Sequence, residues 1–404
     1  MSPDIDELGA WLRLLMVPGL GPAPARRLLA AFGSPQAVFS ARPDAVRAVL
    51  PRFAPDALQA DSGWQAELER TWSWLHAAQA DAPRAVLTLA DEAYPAPLLE
   101  AVDPPLVLFA EGELSRWRRP AVAIVGSRNP TVQGAENAQA FARALSESGV
   151  VVVSGLARGV DAAAHEGALL PIESGDMPGA AGTIAVLGTG MNEVYPKGHK
   201  PLARRVARNG LVLSEFTLHT PPLRANFPRR NRIVAALSRG TLVVEAAVQS
   251  GSLITARLAN EMGREVLAIP GSIHSPQAKG CHALIKQGAK LVETAQDVLE
   301  ELRLGDALSM TPALAAQAHD GPNPARHGRA EGFDAQASPL SPADDEHDED
   351  PVLRAMGHDP VGQDALSART GMGPAELGAR LLELELMGQV ARLPGALFQR
   401  LVRA

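Results

Sequence analysis

Ala121-Val122-Ala123-Ile124-Val125-Gly126-Ser127-Arg128-Asn129 is the stretch that decides the fold. Five consecutive apolar residues read as a strand buried on both faces, as in a parallel sheet covered by helices. The glycine, hydroxyl and arginine that follow at once read as a loop on the sheet's carboxyl edge. The same order recurs along the chain. Residues 150–153 lead into Ser154-Gly155-Leu156-Ala157-Arg158-Gly159, 183–187 into Gly188-Thr189-Gly190, 211–213 into Ser214-Glu215-Phe216, and 241–245 into Ala246-Ala247-Val248-Gln249-Ser250-Gly251-Ser252. Helical patterns at 132–148 and 252–262 separate these runs, which predicts right-handed crossovers in a doubly wound, mostly parallel, Rossmann-like α/β sheet. All its loops then emerge on one edge, where helix N-termini turn free N–H groups outward, an arrangement suited to phosphate.

Close to these loops runs Arg224-Ala225-Asn226-Phe227-Pro228-Arg229-Arg230-Asn231-Arg232, with four arginines and one aromatic ring in nine residues. One nucleotide needs a single phosphate cradle, whereas several such loops with arginines and a phenyl ring suit a polyanion whose bases can stack. The segment therefore reads as a site for single-stranded nucleic acid. Four arginines cannot all be buried, so the segment is expected at the surface. Phe227 is then either a core-facing ring at the start of a helix or a stacking platform, with Asn226 near the cap and Pro228 in the first turn. Net charge of −7 argues against nucleic acid only until its distribution is counted. Residues 116–239 hold 16 Lys+Arg against 8 Asp+Glu, about +8, which leaves about −15 for the remainder.

Gly126-Ser127-Arg128, Ser154-Gly155 and Ser250-Gly251-Ser252 form a set of candidate phosphate contacts. Gly188-Thr189-Gly190 carries less weight, because the third glycine of a dinucleotide fingerprint is missing. Hydrolytic machinery is hard to assemble: His165-Glu166 lacks the second histidine of a zinc helix, and neither a Gly-x-Ser-x-Gly elbow nor a Gly-Lys-Ser/Thr loop occurs. Glu215 and Glu245 end strands near the site and are expected to orient arginines rather than catalyse. No enzyme activity, metal or cofactor is expected. The lone Cys281 excludes a disulfide framework and fits a reducing compartment. With no apolar run of membrane-spanning length and an acidic start unlike a secretory signal, a cytoplasmic protein is expected.

Four regions follow from composition. Residues 1–84 read as short helices with a helix-hairpin-helix-like turn at Val17-Pro18-Gly19-Leu20-Gly21-Pro22, either a phosphate-facing turn or a purely structural one. Residues 85–304 hold the sheet, preceded by a Pro-rich connector with an edge strand expected at 105–109. Residues 305–350 turn to Ala, Pro, Asp and His, ending in an acidic run from Asp344 to Asp350, and are expected to be a disordered linker. Residues 351–404 show three helices and a hairpin, the order of a winged helix. Glu376, Glu383 and Glu385 beside Arg380 on its third helix favour protein contact over duplex reading.

These runs together resemble the DNA-processing protein A family, DprA, also called Smf. The resemblance rests on residues 123–128, 153–165, Asn226-Phe227-Pro228-Arg229-Arg230-Asn231-Arg232-Ile233 and Ser250-Gly251-Ser252-Leu253-Ile254-Thr255-Ala256, with Gly263-Arg264-Glu265-Val266 and Gln287-Gly288-Ala289. It implies a non-catalytic protein of natural transformation, with a SAM-like N-terminal domain and a DML1-like winged helix. Such a protein binds incoming single-stranded DNA, forms a homodimer through the Rossmann-like domain, loads the recombinase RecA and displaces single-strand-binding protein. By the motif matches, Arg128, Arg224 and Phe227 form the DNA pocket, Gly126, Ser127, Ser154, Gly155, Gly251 and Ser252 contact phosphate, and Asn226, Arg229, Arg230 and Arg232 lie in the same DNA-binding segment. The competing resemblance is to LOG-type nucleotide phosphoribohydrolases, whose Pro-Gly-Gly-x-Gly-Thr loop is replaced here by residues 246–252. A regulatory protein-contact scaffold is a third reading, disfavoured by the arginines.

Overall fold

The computed structural model describes residues 4–77, 82–101, 103–177, 179–304, 350–357, 360–393 and 395–401. The expected linker, apart from Asp350, lies outside the described residues. Two compact units result, divided after Leu304.

The first unit is built on nine strands: β1 (Arg84–Thr88), β2 (Val107–Gly112), β3 (Ala121–Val125), β4 (Val151–Ser154), β5 (Thr183–Val186), β6 (Leu211–Ser214), β7 (Gly240–Val243), β8 (Glu265–Ala268) and β9 (Lys290–Leu291). They lie in the order β1-β2-β6-β5-β4-β3-β7-β8-β9. From β3 the chain winds outward through β4, β5 and β6, then returns to the other side of β3 and continues through β7 to β9, with every pair from β6 to β9 parallel. The topological switch, where α/β sheets offer a crevice, falls between the carboxyl ends of β3 and β7.

β3 is buried on both faces, as its five consecutive apolar residues predict. Ala121, Ala123 and Val125 pack on one face with Ile233, Val234, Ala256 and Ala259 of the helices Asn226–Ala236 and Ser252–Glu261. Val122 and Ile124 pack on the other with Ala138, Phe141, Leu145, Val160 and Ala164 of the helices Val132–Glu147 and Val160–Glu173. Both faces are dry, which is why these strands are apolar without alternation.

Two expectations change. The strand near 105–109 is not an edge: β2 lies between β1 and β6, antiparallel to both, and β1 is the outer strand. Arg84 stands opposite Glu111 in that pairing and forms an ion pair with it at 3.1 Å, a polar cross-strand contact that the connector's prolines obscured. The N-terminal helices also share a core with the sheet. Leu8, Leu12, Leu28 and Trp74 belong to the same buried cluster as Val107 and Phe109 of β2 and Leu187, with the Trp74 and Phe109 rings edge to face at 6.3 Å.

The second unit has the expected winged-helix order. Helices Pro351–Met356, Gln363–Thr370 and Pro374–Leu386 precede β11 (Val390–Leu393) and β12 (Leu397–Arg400), and β10 (Val361–Gly362) pairs with β12. Leu366, Leu377, Leu381, Leu384 and Phe398 fill its core. Asp350 belongs to this unit rather than to a linker: its carboxylate caps the first helix by accepting from Val352 and Leu353 N–H and pairs with Arg380.

Candidate nucleic-acid interface

The loops expected on one edge are on one edge, and hydrogen bonds tie them together. Ser127 N–H donates to the Glu245 carbonyl at 2.7 Å, joining the turns after β3 and β7, and Val160 N–H donates to the Ser127 carbonyl at 3.1 Å, joining those after β3 and β4. Gly126 is tightly packed, since a Cβ there would lie 2.7 Å from Val160 Cγ2. Ser127 Oγ accepts from Asn129 N–H at 3.1 Å and shapes the turn that carries Arg128. Arg128 is exposed and forms no ion pair or hydrogen bond among the described residues. Gly251 is also exposed, at the start of the helix Ser252–Glu261, while Ser252 is buried with its hydroxyl 2.6 Å from that of Ser250.

Ser154 is fully buried, and its hydroxyl donates to the Ile124 carbonyl at 2.7 Å. It braces β4 against β3 and has no hydroxyl hydrogen left for a phosphate. Gly155 N–H likewise points to Asp161 Oδ2, at 3.1 Å. Gly155 is required for another reason: a Cβ there would come within 1.6 Å of Arg230 Nη1.

Arg230 and Arg232 correct the expectation that the arginine segment lies at the surface. Arg230 is only 4% exposed, its guanidinium lying on Gly155 and donating to the Val186 carbonyl at 2.8 Å. Burial lowers its pKa to about 10, Asp161 opposes that shift and Arg128 adds to it, so the group stays charged at neutral pH. Arg232 is bound by Glu215 Oε2 at 2.5 Å, and the same oxygen accepts from Arg229 Nη2 at 3.0 Å. Asp103 adds a second acid to Arg232 and pairs with Arg26 at 2.5 Å. Glu215 thus orients arginines as expected. Glu245 does not: its two oxygens accept from Thr131 N–H at 2.9 Å and Thr131 Oγ1 at 2.6 Å, at the start of the helix Val132–Glu147.

The outward face keeps Arg224, which is exposed without an ion-pair partner among the described residues, and Arg229, whose side chain is 37% exposed. Phe227, between them in sequence, is half-buried. Its ring rests on Gly188, where a Cβ would lie 2.7 Å from Cδ1, so the glycine after β5 seats the ring. Asn226, the first residue of the helix, is buried, and its Nδ2 finds no acceptor among the described residues. The cap position is Ala225, one residue earlier than expected, with no side-chain cap bond. Sequence reasoning missed Tyr195, whose ring centroid lies 5.7 Å from that of Phe227. The available signal was a lone tyrosine in a loop carrying Lys197 and Lys200.

Beneath the edge, His165 is fully buried, with Nδ1 2.7 Å from Thr183 Oγ1. Burial first, and then the Arg230 charge, hold its pKa down to about 3. Among the described residues no cluster of three or more His, Cys, Asp or Glu has metal-binding geometry, and no helix is long and apolar enough to cross a membrane.

The first unit is thus a doubly wound, Rossmann-like sheet with exposed arginines and a seated phenyl ring on its carboxyl edge, and the second is a winged helix. Residues 85–303 match the family model described as DNA recombination-mediator protein A, and residues 336–396 match the DprA winged helix domain. The chain belongs to the DNA-processing protein A (DprA, or Smf) family. It is 40% identical over 339 residues to Protein Smf of Escherichia coli, covering 83% of this chain and 82% of that one. With Protein Smf of Synechocystis the identity is 35% over 407 residues, 98% and 99% of the two chains. The X-ray structure of DNA processing protein A from Streptococcus pneumoniae superposes with a TM-score of 0.61 at 36% identity, covering 74% of this chain and 99% of that one.

Proposed function

We propose that the protein binds single-stranded DNA with little sequence preference along the carboxyl edge of its parallel sheet and delivers it to a RecA-type recombinase during transformation. The observation that carries this reading is Phe227, half-buried on Gly188 and flanked in sequence by outward-facing Arg224 and Arg229, with Arg128 exposed on the turn after β3. A flat ring beside guanidinium groups stacks unpaired bases of any sequence while the cations meet the backbone. The side-chain amide of Asn226, at the start of its helix, is a further donor without a partner among the described residues.

Arg128, Arg224, Arg229 and Phe227 are the contacts we assign to DNA, with the Gly126 and Gly251 backbone, the Ser127 hydroxyl and the Asn226 side-chain amide supplying donors. Arg230, Arg232, Ser154, Gly155 and Ser252 hold the edge in shape from within. We further propose that it hands the strand to RecA, displaces single-strand-binding protein and acts as a homodimer in the cytoplasm; the matched family description, a recombination mediator, supports the first of these. Glu245, the carboxylate that a LOG-type hydrolase reading requires, is engaged by Thr131, which favours a binding protein over a hydrolase.

A salt titration with labelled single-stranded and blunt duplex oligonucleotides tests the central claim. The single strand binds more tightly, and the logarithm of its affinity falls linearly with that of salt, by about 0.7 per phosphate neutralised. Equal affinity for duplex breaks the reading, and release of adenine from AMP replaces it with hydrolysis.

A further inference from the structure

Two tyrosines occur in the chain, and their surroundings differ. Tyr94 is buried, and its hydroxyl donates to the Pro105 carbonyl at 2.8 Å. Tyr195 is 49% exposed and forms no hydrogen bond among the described residues. A side chain that is neither core nor anchored by its hydroxyl has its ring face as its remaining asset. That ring sits against Phe227 at 5.7 Å between centroids, with the two planes inclined by 51°.

The loop holding Tyr195 is well fixed. Pro196 is buried, the turn Lys197–His199 follows at once, and His199 Nδ1 lies 3.0 Å from the Leu156 carbonyl in the turn after β4. Lys197 and Lys200, the only lysines between residues 116 and 239, are exposed on the same short stretch. An aromatic ring interleaved with cations on a rigid loop is the composition of a single-strand platform. Rings this close and this tilted cannot admit a base between them, so each offers a separate face.

We propose that Tyr195 is a second base-stacking residue, so that the edge takes two successive unstacked nucleotides, one on Phe227 and one on Tyr195. The proposal rests on the single-stranded DNA reading of Phe227 and adds an independent contact to it. Stacking on Tyr195 needs the ring face and not the hydroxyl. It also releases no counterion, so it leaves the salt slope alone.

The test measures binding of the full chain to labelled oligo(dT) and to a strand of equal length lacking bases, across salt. Tyr195→Ala is expected to weaken oligo(dT) binding about tenfold, equivalent to ~1.4 kcal/mol, with an unchanged slope and no loss on the baseless strand. Tyr195→Phe retains wild-type affinity. Tyr195→Leu, which keeps bulk against Phe227 without a flat face, behaves as the alanine variant and serves if that variant folds poorly. In the Phe227→Ala background, Tyr195→Ala still costs several-fold. Absence of that further loss makes Tyr195 a buttress for Phe227 and overturns the proposal. Equal losses on both strands, or a change in oligomeric state by sedimentation, overturn it in favour of a structural or self-association role. If Phe227→Ala weakens binding and Tyr195→Ala does not, the second contact alone falls; if Phe227→Ala has no effect, the reading of the edge falls and takes the proposal with it.

Discussion

The helix Asn226–Ala236 and the turn before it carry the same residue type to opposite ends. Two arginines are buried: Arg230 is stacked on Gly155, and Arg232 is held by Glu215 and Asp103. On the outer side, Arg224 precedes the helix unpaired among the described residues, and Arg229 reaches from its first turns with more than a third of its side chain exposed. Helical spacing explains Arg230, which stacks with residues 226, 233 and 234 at intervals of three and four; Arg232 shares a face with Arg229, three residues earlier, and is drawn inside by Glu215 and Asp103. A run of arginines is therefore not a measure of how much positive charge a ligand meets. Half of this run supports the surface that the other half presents.

That contrast breaks most visibly through the buried pair. Arg232→Ala and Glu215→Gln each leave a buried partner uncompensated, and a loss of about 3–5 kcal/mol is expected, read as a large fall in melting temperature. An Arg232→Ala protein of wild-type stability but weakened DNA binding would move Arg232 to the outer face.

Acid probes the same interior through His165. The ordinary imidazole value is 6.5, and the folded group sits near 3. Below 6.5 the unfolded chain takes up a proton that the folded protein refuses, so stability is complete above that pH and is lost progressively as pH falls toward 3. By pH 5 the loss is about 2 kcal/mol. Denaturant unfolding of the wild type and His165→Asn at pH 7 and pH 5 isolates it as the difference between their pH dependences. Parallel curves would mean that a second cation is accommodated beside Arg230.

On the outer side, Phe227→Ala is expected to weaken single-strand binding by ~1–3 kcal/mol while leaving the salt slope and the melting temperature close to wild type. A fall of several degrees with unchanged affinity would assign the ring to the core. Smallest in affinity are Arg128→Ala and Arg224→Ala, each expected to make the slope shallower by about 0.7, one phosphate's share on a single strand, without unfolding. An unchanged slope would remove that arginine from the interface.

Much of the edge was legible because its rules are local. Ala121–Val125 announced a doubly covered strand, and the residues that follow each strand had to emerge on one side once the sheet was parallel. Phe227 stood out for its arginine neighbours. Other assignments failed because their reasons are distant in sequence: Ser154 answers to Ile124, Glu245 to Thr131, and Gly155 to Arg230. The strand expected at an edge became internal because the segment beginning at Arg84, 27 residues before Glu111, pairs outside it.

By itself the sequence determined the fold class, the winged helix and the edge on which the glycine-rich loops gather, because strand patterning and turn glycines are properties of neighbouring residues. Tertiary structure alone decided which arginines are exposed, which hydroxyls and carboxylates are already engaged, and that Tyr195 stands beside Phe227. Those outcomes depend on side chains tens of residues apart meeting within a few ångströms, and on burial, which turns a charge that would bind DNA into one that must be paired inside the protein.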